Sequence, residues 1–140
     1  MKVNTKIRYG LRTIIEIATC QEPNGILQKD IANRQDLSVK YLDTIIISLK
    51  LKGLIANSRG KGSGYKLARP VEEITMLDIY TAFEPVTFVD CINNISFCDR
   101  ADICTTRNFW CMLRNETEEL LRSKKLSQIV GEYIKKKSCD

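Results

Sequence analysis

The sequence predicts a mainly α-helical fold that carries one small β-hairpin. Three observations predict it: short segments with helical apolar spacing fill the first 52 positions, a glycine-rich loop flanked by β-like runs follows, and amphipathic segments return in the second half. The 140 residues are 44% apolar and 28% charged, which is typical of a soluble globular domain. We expect no signal peptide and no membrane span, because no apolar run approaches the roughly 20 residues that a spanning helix needs.

Two helices are predicted before residue 35. The first covers residues 5–20, and one face of it carries Ile7, Leu11, Ile14, Ile15 and Ala18. The stretch QEPNG at 21–25 breaks the chain with a proline and a glycine. A second, shorter helix is predicted over 26–34, followed by the turn RQDL.

A third helix is predicted from about residue 39 to residue 52. Ser38 is its expected N-cap, and Gly53 ends it. Its buried stripe is predicted to consist of Leu42, Ile45, Ile46 and Leu49. The polar residues between these positions are therefore expected to face outward, and they are Lys40, Tyr41, Asp43 and Thr44.

A hairpin is predicted after the third helix. Two β-like runs, 54–57 and 65–68, flank the loop SRGKGSG, which holds three glycines and two cations. Short helices followed by a basic hairpin form the winged helix-turn-helix arrangement, in which one helix enters the major groove of DNA and an arginine on the wing can enter the minor groove. Residues 1–70 are therefore predicted to form a DNA-binding head.

The charge distribution agrees with this prediction. Residues 1–70 carry 13 Lys and Arg against 5 Asp and Glu, a net charge of +8. Residues 71–140 carry 9 against 12, a net charge of −3. A basic first half attracts polyanions, whereas a lopsided but inert charged surface is the simpler alternative.

Residues 71–140 are predicted to form a second region with a different role. A helix over 75–84 is expected to be capped by Thr75, and a long helix is expected over 105–122 with Trp110, Leu113, Thr117, Leu120 and Leu121 on one stripe. That stripe packs either on its own chain or on a partner copy. A last amphipathic segment begins near Leu126.

Four of the six cysteines lie within the 22 positions from 90 to 111, and they are Cys91, Cys98, Cys104 and Cys111. A disulfide frame, a zinc site, an iron–sulfur site and a redox sensor are all compatible with such a cluster. The expected compartment is a reducing cytosol, which disfavours disulfides. Structural zinc sites usually contain closely spaced C-x₂₋₄-C pairs, which this stretch lacks, whereas iron–sulfur clusters tolerate varied spacing between thiolates.

Four stretches together resemble the Rrf2 family of bacterial transcription regulators, in its iron–sulfur (IscR- and NsrR-like) type. They are KIRYGLR, SVKYLDTI, SRGKGSGYKL and DCINNISFCDRADICTTRNFW, and the likeness runs from residue 6 to about residue 130. The resemblance implies a homodimer held by a long helix matching 105–122, and a winged-helix head that binds a palindromic operator. In members with three such cysteines, it implies an iron–sulfur cluster, commonly of the 2Fe–2S type.

The resemblance also assigns roles by position. Cys91, Cys98 and Cys104 match the cluster ligands, with the cluster loop at 90–104. The positions that match DNA contacts are Ser38, Lys40 and Tyr41 at the start of the recognition helix, Asp43 where some members carry a base-discriminating acid, and Arg59 and Gly60 at the wing tip.

The fourth cluster ligand departs from the family pattern. The position of a family histidine holds Arg107, which cannot ligate a metal, and the chain contains no histidine. The position of a partner carboxylate used by other members holds Arg8. Cys111 lies one helical turn beyond Arg107, and we hypothesise that it is the fourth ligand. Cys139 is a weaker candidate, and Cys20 is expected in the core.

The sequence thus predicts a cytoplasmic, homodimeric DNA-binding regulator whose affinity is set by an iron–sulfur cluster sensing iron, nitric oxide or redox state. Lys2, Lys6 and Lys61 are expected to contact phosphates. One alternative is a regulator without a cluster, switched by thiol oxidation, zinc or a partner protein. Another is a small electron-transfer iron–sulfur protein. An enzyme is not expected, because no nucleophile–base pair or phosphate-binding loop is present.

Overall fold

Six α-helices and one two-stranded antiparallel sheet follow one another along residues 1–139, which are the residues that the computed structural model describes. The helices are α1 (Thr5–Thr19), α2 (Gln28–Gln35), α3 (Val39–Leu51), α4 (Met76–Thr81), α5 (Arg107–Ser123) and α6 (Leu126–Ser138). The strands β1 (Ile55–Asn57) and β2 (Tyr65–Leu67) lie between α3 and α4. The mainly helical fold with a small hairpin is therefore confirmed. The second predicted region ends at Asp140, which lies outside the described residues.

Side-chain caps define where several helices begin. The Asn4 side chain accepts a hydrogen bond from the backbone N–H of Ile7 at 2.9 Å and caps α1. Ser38 caps α3 as predicted, since its hydroxyl accepts from the backbone N–H of Tyr41 at 3.1 Å. Thr75 caps α4 and forms a reciprocal capping box with Asp78. Each cap satisfies backbone donors that the first helical turn leaves without a partner.

One hydrophobic core joins the two predicted regions. Ile14 of α1, Ile31 of α2, and Leu42, Ile45 and Leu49 of α3 are fully buried together. The same cluster contains residues from beyond position 70, and they are Ile74, Ile79 of α4 and Leu126 of α6. The packing therefore extends across residue 70. The assignment of different functions to residues 1–70 and 71–140 stays a prediction.

Helix α5 packs against α4 but none of its residues is fully buried. Trp110, Leu113, Thr117 and Leu121 are half-buried and follow the predicted stripe. Leu120 was predicted on that stripe but is 61% exposed, because it lies at the edge of the stripe, on the side of Phe109 and Met112, which are also exposed. An apolar groove of about 390 Å³ between α5 and α6 is lined by Met76, Leu120, Leu121 and Ile129.

None of the helices within residues 1–139 has the length and apolar character needed to cross a bilayer.

Candidate nucleic-acid interface and cysteine segment

The N-terminal end of α3 presents polar side chains to solvent. Lys40 and Asp43 are exposed there, together with the capping residue Ser38. Tyr41 is half-buried instead, because its ring packs edge-on against Tyr9 of α1 at 5.9 Å between centroids. The predicted outward residues thus lie on one end of one helix, and Tyr41 also anchors that helix to α1.

The turn between α2 and α3 is held by a left-handed residue and an arginine. Asp36 adopts φ 53°, a conformation that non-glycine residues rarely take, and it ends α2. The Arg12 guanidinium donates to the side-chain and backbone oxygens of Gln35 at 2.6 and 3.1 Å. The left-handed Asp36 redirects the chain from α2 towards α3, and the Arg12 contacts tie the end of α2 to α1.

The wing tip is exposed and basic. Arg59, Gly60 and Lys61 are all exposed in the loop between β1 and β2. Gly60 has φ +106° and Gly62 has φ +74°, so glycine is needed at both positions to reverse the chain in so short a loop. The two cations therefore project from a narrow turn, a shape suited to a DNA groove.

Ile26, just before α2, pairs with the wing strand β2 as an isolated β-bridge. The sequence did not predict this pairing. Ile26 and Tyr65 exchange two backbone hydrogen bonds, at 3.1 and 2.8 Å. Gly64 allows this approach, because a Cβ there would lie 2.2 Å from the carbonyl oxygen of Ile26. Backbone hydrogen bonds consequently join the wing to the segment that leads into α2.

The two remaining predicted phosphate contacts lie elsewhere on the head. Lys2 and Lys6 are exposed before and within the first turn of α1. Among the described residues, no hydrogen bond or ion pair joins either lysine to α3 or to the wing. The structure therefore leaves both side chains free to reach a DNA backbone.

Gln28, at the start of α2, connects α2, α3 and the wing, and the sequence analysis did not identify it. Its amide nitrogen donates to the backbone oxygen of Val39 at 3.2 Å and to the carboxylate of Asp43. Its amide oxygen accepts from the Tyr65 hydroxyl at 3.5 Å. No sequence periodicity marks this residue, because its partners lie 11 to 37 positions away.

Glu16 is a second residue that the sequence analysis missed. It is 3% exposed, and its carboxylate accepts from Gln35 at 2.7 Å and from the Tyr133 hydroxyl at 3.1 Å. Arg34 forms an ion pair with it at 3.4 Å. The buried charge is therefore compensated, and it links α1 to the end of α2 and to α6.

The cysteine segment lies between α4 and α5. Two short 3₁₀ turns, Asp90–Ile92 and Ile95–Phe97, give it local structure. Cys91 lies in the first turn, Cys98 directly follows the second, and Cys104 lies just before α5. Within residues 90–104 the buried residue is Ile92, and the apolar side chains left exposed there are Ile95, Phe97 and Ile103.

The four clustered cysteines are free thiols and half-buried. Hydrogen bonding by the Thr106 hydroxyl, 3.3 Å from the sulfur, lowers the pKa of Cys104, and the nearby charge of Arg100 acts in the same direction. A lower pKa increases the thiolate fraction, which is the form that binds metals and reacts with oxidants. Cys20 packs beside the core as expected, and Cys139 is exposed.

The donor chemistry of this segment fits an iron–sulfur cluster, since soft thiolates are its usual ligands. Within residues 1–139, however, no three cysteine, aspartate or glutamate side chains converge closely enough to hold a metal ion. The thiols are therefore near one another in sequence but not gathered at one point. Cys111 lies on the first turns of α5, and Arg107 one turn before it is half-buried.

A helix-turn-helix followed by an anchored basic wing defines the class of DNA-binding transcription regulators. The family model of Rrf2, described as an iron-dependent transcriptional regulator, matches residues 3–132. The chain therefore belongs to the Rrf2 family.

Relatives and solved structures agree with this assignment. The protein rrf2 of Nitratidesulfovibrio vulgaris is 38% identical over 111 residues, which cover 79% of this chain and 74% of that protein. The structure of CymR, the global cysteine regulator of B. subtilis, superposes with a TM-score of 0.73 at 30% identity, covering 94% and 98% of the two chains. The structure of T. potens IscR gives a TM-score of 0.73 at 29% identity, covering 95% and 88%. The family predicted from the sequence is thereby confirmed.

Proposed function

We propose that this Rrf2-family regulator is a cytoplasmic homodimer that binds a palindromic operator through two winged-helix heads. The observation that carries the proposal is the exposed polar surface formed by the start of α3 and the wing tip. Lys40 and Asp43 would face base edges in the major groove, and Arg59 would enter the adjacent minor groove. Tyr41 and Ser38 hold the recognition helix in place at its first turn.

Phosphate contacts would supply most of the affinity. Lys2, Lys6 and Lys61 are exposed cations on the head, and Gly60 brings the wing backbone close to the sugar–phosphate chain. Binding that depends on such contacts releases condensed counterions, so the observed affinity should fall steeply as salt increases.

The dimer would form through α5. Phe109, Met112 and Leu120 leave an apolar stripe exposed along this helix, and the groove beside Leu120 continues it towards α6. Large exposed apolar patches rimmed by polar residues commonly mark protein interfaces. Two α5 helices packed by this face would hold the heads at a fixed spacing, as half-sites about one DNA turn apart require.

Cys91, Cys98 and Cys104 would hold an iron–sulfur cluster, and the 2Fe–2S type is the one we propose. The support is the set of free, half-buried thiols together with the iron-dependent character of the family. When bound, the cluster supplies a centre that iron supply, oxidants or nitric oxide can alter. We assign Cys111 as the fourth ligand, because it is the remaining thiol of the stretch and Arg107 cannot ligate.

The segment is placed to transmit such a change to the dimer helix. Asn93 donates to the Thr87 hydroxyl at 2.9 Å and accepts from Arg114 of α5 at 3.2 Å. Gathering the thiols around a cluster would shift the backbone near Asn93 and hence this contact with α5. A change in α5 packing then changes head spacing, and operator affinity follows from that spacing.

A second candidate is a regulator without a cluster, switched by thiol oxidation, zinc or a partner protein. It is favoured by the lack of three converging ligands in the described chain and by the lowered pKa of Cys104. CymR, a structural relative, is described as a global cysteine regulator. In this case Cys104 would be the reactive thiol, because a lowered pKa increases the thiolate fraction, which is the form that reacts with oxidants.

Purification under strict anaerobic conditions decides between the two candidates. Iron, sulfide and zinc would be assayed per chain, and the visible spectrum recorded. Colour with matched iron and sulfide supports the cluster regulator. Colourless protein that also resists reconstitution with iron and sulfide supports the second candidate.

Two variants then test the ligands and the link to DNA. Cys98→Ala should keep the helical circular dichroism, lose the visible absorption and change operator affinity measured by fluorescence anisotropy. Unchanged binding curves would contradict a cluster-controlled affinity. Cys111→Ala tests the fourth ligand, and unchanged iron content and absorption would remove Cys111 from the ligand set.

A further inference from the structure

Gln28 occupies the junction of α2, α3 and the wing. The residue is half-buried, and three polar groups from two other elements surround its amide. Val39 and Asp43 lie on the nitrogen side, at the start of α3. The Tyr65 hydroxyl of β2 lies on the oxygen side.

The partners leave the amide only one satisfactory orientation. The Val39 carbonyl and the Asp43 carboxylate are acceptors, so they require the NH₂ group. The Tyr65 hydroxyl can donate, so it suits the amide oxygen. A flipped amide would bring its oxygen against two acceptors and lose both of those hydrogen bonds, whereas the Tyr65 hydroxyl, which can donate or accept, would pair with either end. The two acceptors of α3 therefore set the orientation of the amide, and Tyr65 adds a contact with the wing strand.

The contact with Gln28 restricts Asp43 at the place where a DNA-facing helix contacts bases. Asp43 is exposed and lies off the buried stripe of Leu42, Ile45 and Ile46. Gln28 engages its Oδ1 atom, which leaves Oδ2 without a partner among the described side chains. A carboxylate in the major groove accepts a hydrogen bond from the N4 amino group of cytosine. Because Gln28 holds Oδ1, the direction of Oδ2 is restricted before DNA binds. The Asp43 side chain then loses less rotamer entropy on binding.

We propose that Gln28 is a positioning residue for DNA specificity, which orients the Asp43 carboxylate towards a cytosine amino group and links that contact to the wing through Tyr65. The inference rests on the proposed operator-binding function. It adds to it the residue that fixes the orientation of the base-contacting group. The tyrosine is itself held, since the Lys50 ammonium lies 5.1 Å from its ring centroid and Ile26 pairs with its backbone.

The test uses full-length protein and a randomised duplex DNA library. Selection with wild type defines the preferred sequence, and Asp43→Ala identifies the base pair that Asp43 discriminates. Gln28→Leu removes both hydrogen-bonding groups while keeping the size of the side chain. Gln28→Glu keeps the size but sets a carboxylate against Asp43. Asn33→Leu removes an exposed amide from the same helix and serves as the matched control.

We expect Gln28→Leu to lower the preference for cytosine at the Asp43 position by about tenfold, which corresponds to about 1.4 kcal/mol, because the Asp43 carboxylate loses the hydrogen bond that orients it. Gln28→Glu should lower it further, and Tyr65→Phe should have a smaller effect in the same direction. Preferences at other positions, and the preference of Asn33→Leu, should stay as in wild type. In the Asp43→Ala background, Gln28→Leu should change nothing further.

The outcomes separate this inference from the function on which it rests. Wild-type protein that selects no preferred sequence would overturn the proposed operator binding itself. A wild type that selects an operator, with unchanged cytosine preference in Gln28→Leu and Gln28→Glu, would overturn only the role of Gln28. If folded Gln28→Leu lost preference equally at every base position, the role of Gln28 would also be overturned. Such a result would indicate a general distortion of the head, whereas a positioning residue should affect only the base pair that Asp43 contacts.

Discussion

At the scale of single residues, Glu16 shows how this fold accommodates a buried charge. Its carboxylate is 3% exposed and has donors from Gln35, Arg34 and Tyr133. Burial of an uncompensated carboxylate would be expensive, so the three donors must be present together. They come from the end of α2 and from α6, and Glu16 therefore joins parts of the chain 117 positions apart.

We predict that Glu16→Ala lowers the free energy of unfolding by about 2–3 kcal/mol, because the donors lose their common acceptor. Tyr133→Phe removes one of the hydrogen bonds and should cost about 1 kcal/mol. Equilibrium urea unfolding measures both. If Glu16→Ala had the same free energy of unfolding as wild type, water would have to satisfy the three donors as well as the carboxylate does.

The two wing cations should differ in their effect on DNA binding. Lys61→Ala should weaken binding to all sequences alike and reduce the salt slope by about one, as expected for a phosphate contact. Arg59→Ala should weaken preferred operators more than random DNA, because an arginine in the minor groove responds to groove width. Anisotropy titrations at several salt concentrations measure both effects. Identical selectivity in the two variants would contradict the separate roles.

The sequence predicted the exposed residues of α3 better than the contacts among them. Helical spacing places Leu42 and Ile45 inward, and so Lys40 and Asp43 outward, and the structure agrees. Gln28 and Glu16 could not be found in this way, because their partners come from other elements. Periodicity reports which face of an element is buried and does not report which side chains meet across elements.

At the scale of elements, α5 is the helix that leaves an apolar side uncovered. One side of it packs towards α4, and the adjoining side leaves Phe109, Met112 and Leu120 exposed. Sequence periodicity identified the apolar stripe, and Leu120 lies at its exposed edge. Periodicity does not report how much of an apolar stripe a neighbouring helix covers.

We predict that Leu120→Glu converts the proposed dimer into a monomer, because a charge would be buried in the proposed α5 interface. Sedimentation equilibrium should then give the mass of one 16.0 kDa chain. Asn115→Glu adds the same charge at an exposed position on another side of α5 and is the control. A dimeric Leu120→Glu protein would move the interface away from this face.

At the scale of the whole molecule, the helical order and the wing were predictable because their signals are local. Caps, glycines and apolar spacing act over a few residues, and Ser38, Thr75 and Gly60 behave as expected. The cysteine segment was predictable only as a cluster of thiols. Its geometry depends on long-range contacts such as Arg114 with Asn93, and on any group bound there.

The shared core predicts that head and C-terminal region unfold together. Leu126 of α6 is fully buried among residues of the head, so Leu126→Ala should lower the free energy of unfolding by about 2–5 kcal/mol. Ile134→Ala, in an exposed position of the same helix, should cost little. Far-ultraviolet circular dichroism and Trp110 fluorescence should give one coincident transition in both variants. Separate transitions would show that α6 stabilises only its own region.

The core that crosses residue 70 also has a consequence for how such regulators diversify. Ile74 and Leu126 fill space left by α1 and α3, and Tyr133 completes the environment of Glu16. Recombination that joined residues 1–70 to the C-terminal half of a distant relative would bring together surfaces that do not match, and the chimaera would lose stability. Under the proposed function, DNA preference would therefore change more easily by point substitutions at the exposed end of α3, while the residues behind it change only as a set.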